Sequence, residues 1–359
     1  MKKKIAVAPG DGIGKEVIAA AVRVMEAAGA PVVFKEFDWS ADRYLRDGTS
    51  IPAGAFAMLE NDFDAVLVGA LGDPRVPTNI HAKDILLGMR FKMDLYANVR
   101  PVKLLDAALC PLKGMEPKDV NFTVIRENTE GLYCDVGGVF KHGTPDEVAV
   151  QEDVNTRKGV ERVIRFAFDY ARNHGRKKVL MADKSNVMTF AHGLWQRVFK
   201  EVAAEHPEIA ASHMYVDALC LQMVREPQQF EVIVTNNMFG DIITDLAAAL
   251  QGGLGMAASG NIHPLKTSMF EPVHGSASPG REERSESVWR DPDLGDDADP
   301  RRAARVWRTN RGGRARCGET EENDERCRRE PGDERSGRVG GKEGELTART
   351  WRVDLSAQI

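Results

Sequence analysis

Long apolar runs are missing from this sequence of 359 residues. No stretch reaches the roughly 20 consecutive apolar residues that a membrane span needs, so no membrane partner is expected. The basic start Met1-Lys2-Lys3-Lys4 leads into an apolar run that Gly10-Asp11-Gly12 cuts off, too soon for the apolar region of a secretory signal. Cysteine is scarce: five residues, none in a C-x-x-C spacing, fit neither a disulfide framework nor a zinc site, and an odd count leaves one unpaired. A reducing, cytoplasmic setting is therefore expected. An excess of positive charge is also lacking. With a formal net charge of -5 the chain does not offer the basic surface that tracks phosphates, so no nucleic-acid partner is expected and a small molecule is.

What is present suits a large buried core. Apolar residues make up 42% of the chain, and its length exceeds one average domain, which predicts two domains sharing a core or one domain with added material. Residues 4–8 form a short apolar run that stops at Pro9-Gly10-Asp11-Gly12-Ile13-Gly14, and an Ala-rich helical pattern follows over 16–28. Similar strand patterns recur at 32–37, 65–68, 122–125, 178–181 and 232–235, with helical patterns at 158–173 and 194–205. Alternation of this kind predicts an α/β architecture with a largely parallel sheet.

From about Ser278 the composition changes to Arg, Glu, Asp and Gly, almost free of Lys and without apolar periodicity except around Val306-Trp307. Such a segment buries too little apolar surface to offset its ordering entropy, so residues 278–359 read as a disordered tail. A second explanation is a frameshift near Ala277 or Ser278. Reading the codons for residues 285–298 one base later permits Ala-Asn-Pro-Phe-Gly-Ala-Ile-Leu-Thr-Ser-Gly-Met-Met-Leu, which has the helical apolar pattern that the written frame lacks.

Three arginines stand out: Arg90, Arg100 in Leu95-Tyr96-Ala97-Asn98-Val99-Arg100-Pro101, and Arg126 in Ile125-Arg126-Glu127-Asn128. Planar guanidinium forks hold carboxylates bidentately, so three in one cleft would suit a dicarboxylate, although any one of them alone reads equally as a surface ion pair. Asp241 and Asp245 lie four apart, on one helix face. With a distant third acid such as Asp217 they would form an all-oxygen site for Mg²⁺ or Mn²⁺. The alternative is an Asp-rich first helical turn after a loop Asn236-Asn237-Met238. Asp183-Lys184-Ser185-Asn186 follows a strand, where α/β sheets present functional side chains, and Lys184 is a candidate for proton transfer. Tyr133 is the candidate for the other proton, against a plain core aromatic. The turn at residues 10–14 lacks the G-x-G-x-x-G register of a dinucleotide-binding unit, and could alternatively form an anion nest for a sugar or nucleotide phosphate.

Taken in order, Pro9-Gly10-Asp11-Gly12-Ile13-Gly14, the segment 95–101, 126–133, 183–187, Val216-Asp217-Ala218, 236–245 and Glu271-Pro272-Val273-His274-Gly275-Ser276-Ala277 resemble the isocitrate/isopropylmalate dehydrogenase family over residues 1–277. The resemblance implies a non-Rossmann two-domain α/β fold with a large mixed, partly parallel sheet. It implies a cofactor domain from 1–100 and 253–277, and a central substrate and dimerisation domain from 101–252. It also implies an NAD-linked oxidative decarboxylase, NADP being left open, using Mg²⁺ or Mn²⁺ and forming a homodimer with shared active sites. Arg90, Arg100 and Arg126 match the grip on the malate carboxylates; Asp217, Asp241 and Asp245 match the metal ligands; Tyr133, Lys184 and Asp217 match the catalytic groups. Ile13, Glu271, His274, Gly275, Ser276 and Ala277 match cofactor contacts. Leu86 and Leu87, in the segment facing the substituent at C3, make an apolar wall that suits an isopropyl group at about 0.8 kcal/mol per buried CH₂. Lys83 departs from the acidic residue the resemblance leads one to expect nearby. The implied reaction converts 3-isopropylmalate to 4-methyl-2-oxopentanoate, as in leucine biosynthesis. Tartrate, malate, isocitrate and homoisocitrate remain alternative substrates, and an inactive protein that still dimerises or binds carboxylates is the alternative of another class.

The altered segment after residue 277 stands where the family carries its adenosine pocket and covering helices. The chain as written is expected to bind cofactor weakly and to be inactive or unstable, and the chain with the restored frame to be active. Resequencing the locus and assaying both chains with isopropylmalate, Mg²⁺ and NAD checks this; a confirmed frame with equal activity in both counts against it.

Overall fold

The computed structural model describes residues 2–276. Ala277 and the segment 278–359, with the expectations of disorder and of a frameshift, lie outside the described residues. The chain opens as the apolar pattern requires, with β1 (Lys3–Ala8), α1 (Gly14–Ala27) and β2 (Val32–Glu36). Helix α1 starts two residues before the expected position 16. Gly10 and Gly12 take positive φ, and a Cβ on Gly14 would lie 2.6 Å from the carbonyl oxygens of Ala70 and Pro9, so the turn needs small residues up to the first helical position.

Two short helices follow, α2 (Ala41–Asp47) and α3 (Ala55–Asp62), then β3 (Ala65–Val68), α4 (Ile80–Lys92) and β4 (Ala97–Lys103). Helix α2 is capped at both ends: Ser40 Oγ accepts from Arg43 N, and Gly48 closes it in the left-handed region. Next come β5 (Asn121–Glu127) and a hairpin of β6 (Gly137–Phe140) and β7 (Val148–Gln151). The remainder is α5 (Arg157–Asn173), β8 (Lys178–Asp183), α6 (Ala191–Ala204), β9 (Ala210–Tyr215), α7 (Val216–Arg225), β10 (Val232–Thr235), α8 (Asn237–Leu250), β11 (Ala258–Ile262) and β12 (Ser268–Pro272).

Ten strands form one mixed sheet in the order β2-β1-β3-β12-β11-β4-β5-β10-β8-β9. Both wings are parallel, β2-β1-β3-β12 on one side and β5-β10-β8-β9 on the other. They meet through an antiparallel seam, β12-β11-β4-β5. Three apolar clusters hold the layers. Trp39, Leu59, Ile85 and Met89 pack under the first wing; Val163, Phe168, Trp195 and Phe199 bring α5 and α6 onto one face of the second; Leu219, Met223, Ile243 and Ala247 bring α7 and α8 onto the other. Helices cover both faces of the second wing, which is why strands such as Val232–Thr235 are buried throughout and read as unbroken apolar runs.

One local expectation is corrected. Asn236-Asn237-Met238 is not a loop before an Asp-rich first turn: Asn236 is the N-cap, its Oδ1 accepting from Phe239 N, and Asn237 and Met238 are already helical. The first turn of α8 holds no acid, so Asp241 and Asp245 are not there to answer the helix dipole.

Close packing of β3 on the glycine turn sets a stability test. A Cβ on Gly69 would fall 1.9 Å from the Pro9 carbonyl oxygen, whereas Gly29, at φ +67, faces open space. Gly69→Ala is expected to cost about 3 kcal/mol or more, and Gly29→Ala about 1 kcal/mol, in urea unfolding. Equal costs for the two would refute the close approach.

Candidate active site

The basic centre lies at the seam. Arg126, next to last in β5, and Arg100, in β4, are buried, with 1% and 5% exposure, far from the surface ion pairs that each could have been when read alone. Arg126 Nη1 is 2.5 Å from Asp241 Oδ1, and its Nε and Nη2 donate to Asn237 Oδ1 at 3.1 and 2.7 Å. Arg100 Nη2 lies 3.3 Å from the same Asp241 oxygen, and its Nη1 donates to Thr244 Oγ1. Tyr133 donates its hydroxyl to Asp241 Oδ2 at 2.7 Å, and its ring lies against the Arg126 guanidinium, 5.1 Å from centroid to Cζ. Tyr133 is thus half-buried with a polar task, not a plain core aromatic.

Gly240 makes the arrangement fit. A Cβ there would lie 2.4 Å from Arg126 Cγ, so α8 can approach β5 only with glycine at this position. Asp241 and Asp245 follow on successive turns. Burial raises the Asp241 carboxyl, but Arg126 and Arg100 outweigh it and hold the group below its ordinary range. Burial and the neighbouring Asp241 charge push Asp245 the other way. Burial, then the positive neighbours Arg100 and Arg90, pushes the Arg126 guanidinium down. Burial and Asp241 raise the Tyr133 phenol, which keeps its proton at neutral pH.

Arg90 joins from α4 and donates to Glu271 Oε1 on β12 at 2.9 Å. Glu271 also accepts from Asn261 Nδ2 at 2.7 Å, and Asn261 Oδ1 in turn accepts from Asn98 and Asn128. Sequence reasoning missed these buried asparagines and Asn237, although Asn98, Asn128 and Asn237 sit in segments that carried the resemblance; Asn261 lies outside them all. Arg90 and Arg100 line one cavity with Leu86, Glu271, His274 and Gly275, of about 90 Å³. Buried Nε atoms of both arginines lack a protein acceptor. A larger groove of about 590 Å³ takes Leu87, with Ser50, Lys83, Asp84, Phe91 and Lys92. Size alone would select that groove, but convergent buried charge selects the smaller cavity. Leu86 and Leu87 therefore face different hollows, about 100° apart around one helix.

Not every expected site residue meets in one chain. Lys184 Nζ pairs with Asp217 Oδ1 at 2.6 Å, at the other end of the second wing, and neither bonds to Asp241 or Asp245. Among the described residues no three His, Cys, Asp or Glu side chains come together as a metal site. Ser276 N reaches Leu71 O at 3.4 Å, and Ile13 precedes α1 without a side-chain capping bond. Ala277 lies outside the described residues. The turn at 10–14 directs Asp11 inward: its carboxylate accepts from Ala41 N, Gly72 N and His81, so the loop is tied down by an acid where an anion nest would want none.

Buried arginines paired with Asp241 and Glu271, on a two-winged α/β sheet with an antiparallel seam, form the charged centre of the fold. The sequence profile of the isocitrate/isopropylmalate dehydrogenase family matches residues 4–281, and the chain belongs to that family. It is 47% identical over 280 residues to the 3-isopropylmalate dehydrogenase of Thermobifida fusca (strain YX), covering 76% of this chain and 79% of that protein. It is 49% identical over 281 residues to the 3-isopropylmalate dehydrogenase of Corynebacterium kroppenstedtii, covering 76% and 81%. Among solved structures, isocitrate dehydrogenase from Methylococcus capsulatus superposes with TM-score 0.69 at 34% identity, over 86% of this chain and 89% of that one. The TT0538 protein of Thermus thermophilus superposes with TM-score 0.68 at 37% identity, over 84% of this chain, which spans 57% of that one. Among the described residues no helix is long and apolar enough to cross a membrane.

Gly240→Ala tests the arginine cradle. Its methyl group must displace Arg126, so a loss of about 1–3 kcal/mol in urea unfolding and at least about tenfold weaker dicarboxylate binding by calorimetry are expected. Unchanged binding would show that Arg126 does not hold the ligand.

Proposed function

We propose that this chain oxidises and decarboxylates 3-isopropylmalate, transferring hydride to NAD with the help of Mg²⁺ or Mn²⁺. The observation that carries the reading is the convergence of Arg90, Arg100 and Arg126, from α4, β4 and β5, around two directly paired carboxylates among the described residues, Asp241 and Glu271. Three guanidinium groups against two acids leave room for an anion. Leu86 in the same cavity favours an apolar substituent over a third carboxylate. The relatives named 3-isopropylmalate dehydrogenase support the same choice.

The oxygen donors of Asp241 and Asp245 suit a hard divalent cation, and the raised Asp245 carboxyl reports the like-charge repulsion that a cation would relieve. A third ligand is Asp217 from a second copy, which also brings its Lys184. When bound, the cation supplies Lewis acidity beside the 2-oxygen and NAD supplies the hydride acceptor. The chain's own residues do the rest. The arginines orient the two carboxylates, Lys184 with Asp217 takes the 2-hydroxyl proton as hydride leaves C2, and Tyr133, held protonated, returns a proton to C3 once CO₂ has departed.

Exposed apolar side chains on the elements that would meet support the homodimer: Val139, Phe140 and Val148 on the β6–β7 hairpin, Leu221 on α7 and Ile242 on α8. A two-stranded hairpin of this kind is marginal alone and gains from pairing with another copy. The division into a cofactor domain from 1–100 and 253–277 and a central domain from 101–252 belongs to the same proposal. The free thiols Cys110, Cys134 and Cys220 suit a reducing, cytoplasmic setting.

Absorbance at 340 nm, followed with NAD and Mg²⁺ on the full chain and on the frame-restored chain, tests this against isopropylmalate, isocitrate, homoisocitrate, tartrate and malate. Isopropylmalate is expected to give the highest kcat/KM, with Tyr133→Phe and Lys184→Met each lowering kcat by about 10²-fold or more. A preference for isocitrate would overturn the role given to Leu86.

A further inference from the structure

Lys184 is held by its backbone as well as by its amine. The loop after β8 is pinned twice: Ser185 N donates to Asp183 Oδ1 at 3.0 Å, and Lys184 N donates to His192 Nδ1 at 2.8 Å. His192, in the first turn of α6, is completely buried.

Its tautomer follows from its neighbours. A backbone N–H can only donate, so Nδ1 must carry a lone pair and the ring proton must sit on Nε2. There the proton meets a second donor, Asn236 Nδ2 at 3.0 Å, whose Oδ1 is taken by the α8 cap at Phe239 N, so the neutral ring satisfies only one of the two donors that face it. Asp153 Oδ2, 3.8 Å from Nε2, is buried, lies beyond hydrogen-bond distance and has no hydrogen-bond partner among the described residues. A second ring proton would place Nδ1–H against Lys184 N–H, two donors face to face in a buried site.

We infer that His192 is a positioning residue for Lys184, fixing its backbone through a hydrogen bond that only the neutral imidazole can accept. This rests on the proton-transfer role given to Lys184 above. The charged groups near the ring are Asp153 after β7, Asp183 at the end of β8 and Lys184 itself; from α8 it meets only Asn236 at the cap and the Phe239 ring, at 5.3 Å. Burial holds the imidazole below its ordinary range against the pull of both acids, which favours the neutral form at pH 7.

Amide hydrogen–deuterium exchange, read at Lys184 by mass spectrometry of the full chain, tests this. His192→Leu, which fills the space without an acceptor, is expected to speed exchange at Lys184 by about tenfold, the scale of one net hydrogen bond. His192→Asn, whose Oδ1 falls where Nδ1 was, is expected to restore protection. Below the imidazole range the wild type is expected to lose protection at Lys184 beyond the intrinsic pH effect, and His192→Asn to show no such step. If His192→Leu does not fold, His192→Gln, whose acceptor lies one carbon too far, is expected to show the same loss. Unaltered protection in the variant lacking the acceptor, or identical pH profiles in wild type and His192→Asn, would overturn the inference. Where turnover is measured, His192→Leu should lower kcat and leave KM in place. A frame-restored chain with no dehydrogenase turnover would sink the functional reading, while the exchange result on the full chain still decides this one.

Discussion

The site depends on one constraint: two guanidinium groups buried side by side must be given a counter-charge. Taking an arginine out of water costs several kcal/mol, and Arg126 and Arg100 also repel each other. Asp241 answers both, with Tyr133 and Asn237 filling the remaining hydrogen-bonding positions. Because that carboxylate is also one of the two acids on α8 proposed to hold a cation, the charge that stabilises the arginines and one of the charges that would organise a bound cation are the same group. Asp245, one turn further on, has no arginine in contact and keeps a raised carboxyl. The pair is thereby biased, one acid held ionised by arginines and the other open to a positive partner.

The sheet explains why these groups can meet. Parallel strands alone would send Arg100 and Arg126 to the same end of the sheet on strands separated by a helical crossover. The antiparallel seam instead places β4 beside β5 with Asn98 opposite Arg126. Asn98 then reaches across to Asn261 on β11, Asn261 reaches Glu271 on β12, and Glu271 reaches Arg90 on α4. These buried amides are tied together through their Nδ2 groups, with Asn98 Oδ1 and Asn128 Oδ1 left without a partner among the described residues, and they tolerate little displacement, which makes this chain of contacts a rigid ruler between the arginines of the two wings.

Much of the architecture was legible before any coordinate. Strands at residues 65–68 and 232–235 fell where apolar runs stopped at turn residues, and the helix over 157–173 announced itself by an apolar stripe whose members Val160, Val163, Ile164 and Ala167 are all buried. The seam was not legible: β4 alternates only Ala97 and Val99 with Asn98 and Arg100, and β11 alternates Ala258, Gly260 and Ile262 with Ser259 and Asn261, so each has too few and too small apolar positions to mark a core strand. Those strands are polar because their side chains build the site, and function overrode the pattern that marks a core strand. The same cause hid the start of α8, where Asn236 reads as loop because capping and turn residues share a chemistry.

Residue types and their spacing along the chain determined which groups could act. Arginines for carboxylates, acids four apart on a helix and a lysine after a strand follow from local chemistry, and the order of the motifs pointed to the family. Which of them meet was decided only by tertiary structure. Leu86 and Leu87 are neighbours in sequence, yet helical rotation puts one beside Arg90 and the other in a separate groove. Asp217 and Asp241 are both acids, yet one lies with Lys184 and the other with Arg126, because α7 and α8 leave the sheet from different strands. Charge and hydrogen-bonding capacity are properties of a residue, whereas distance and burial belong to the fold, and the chemistry of this site needs both.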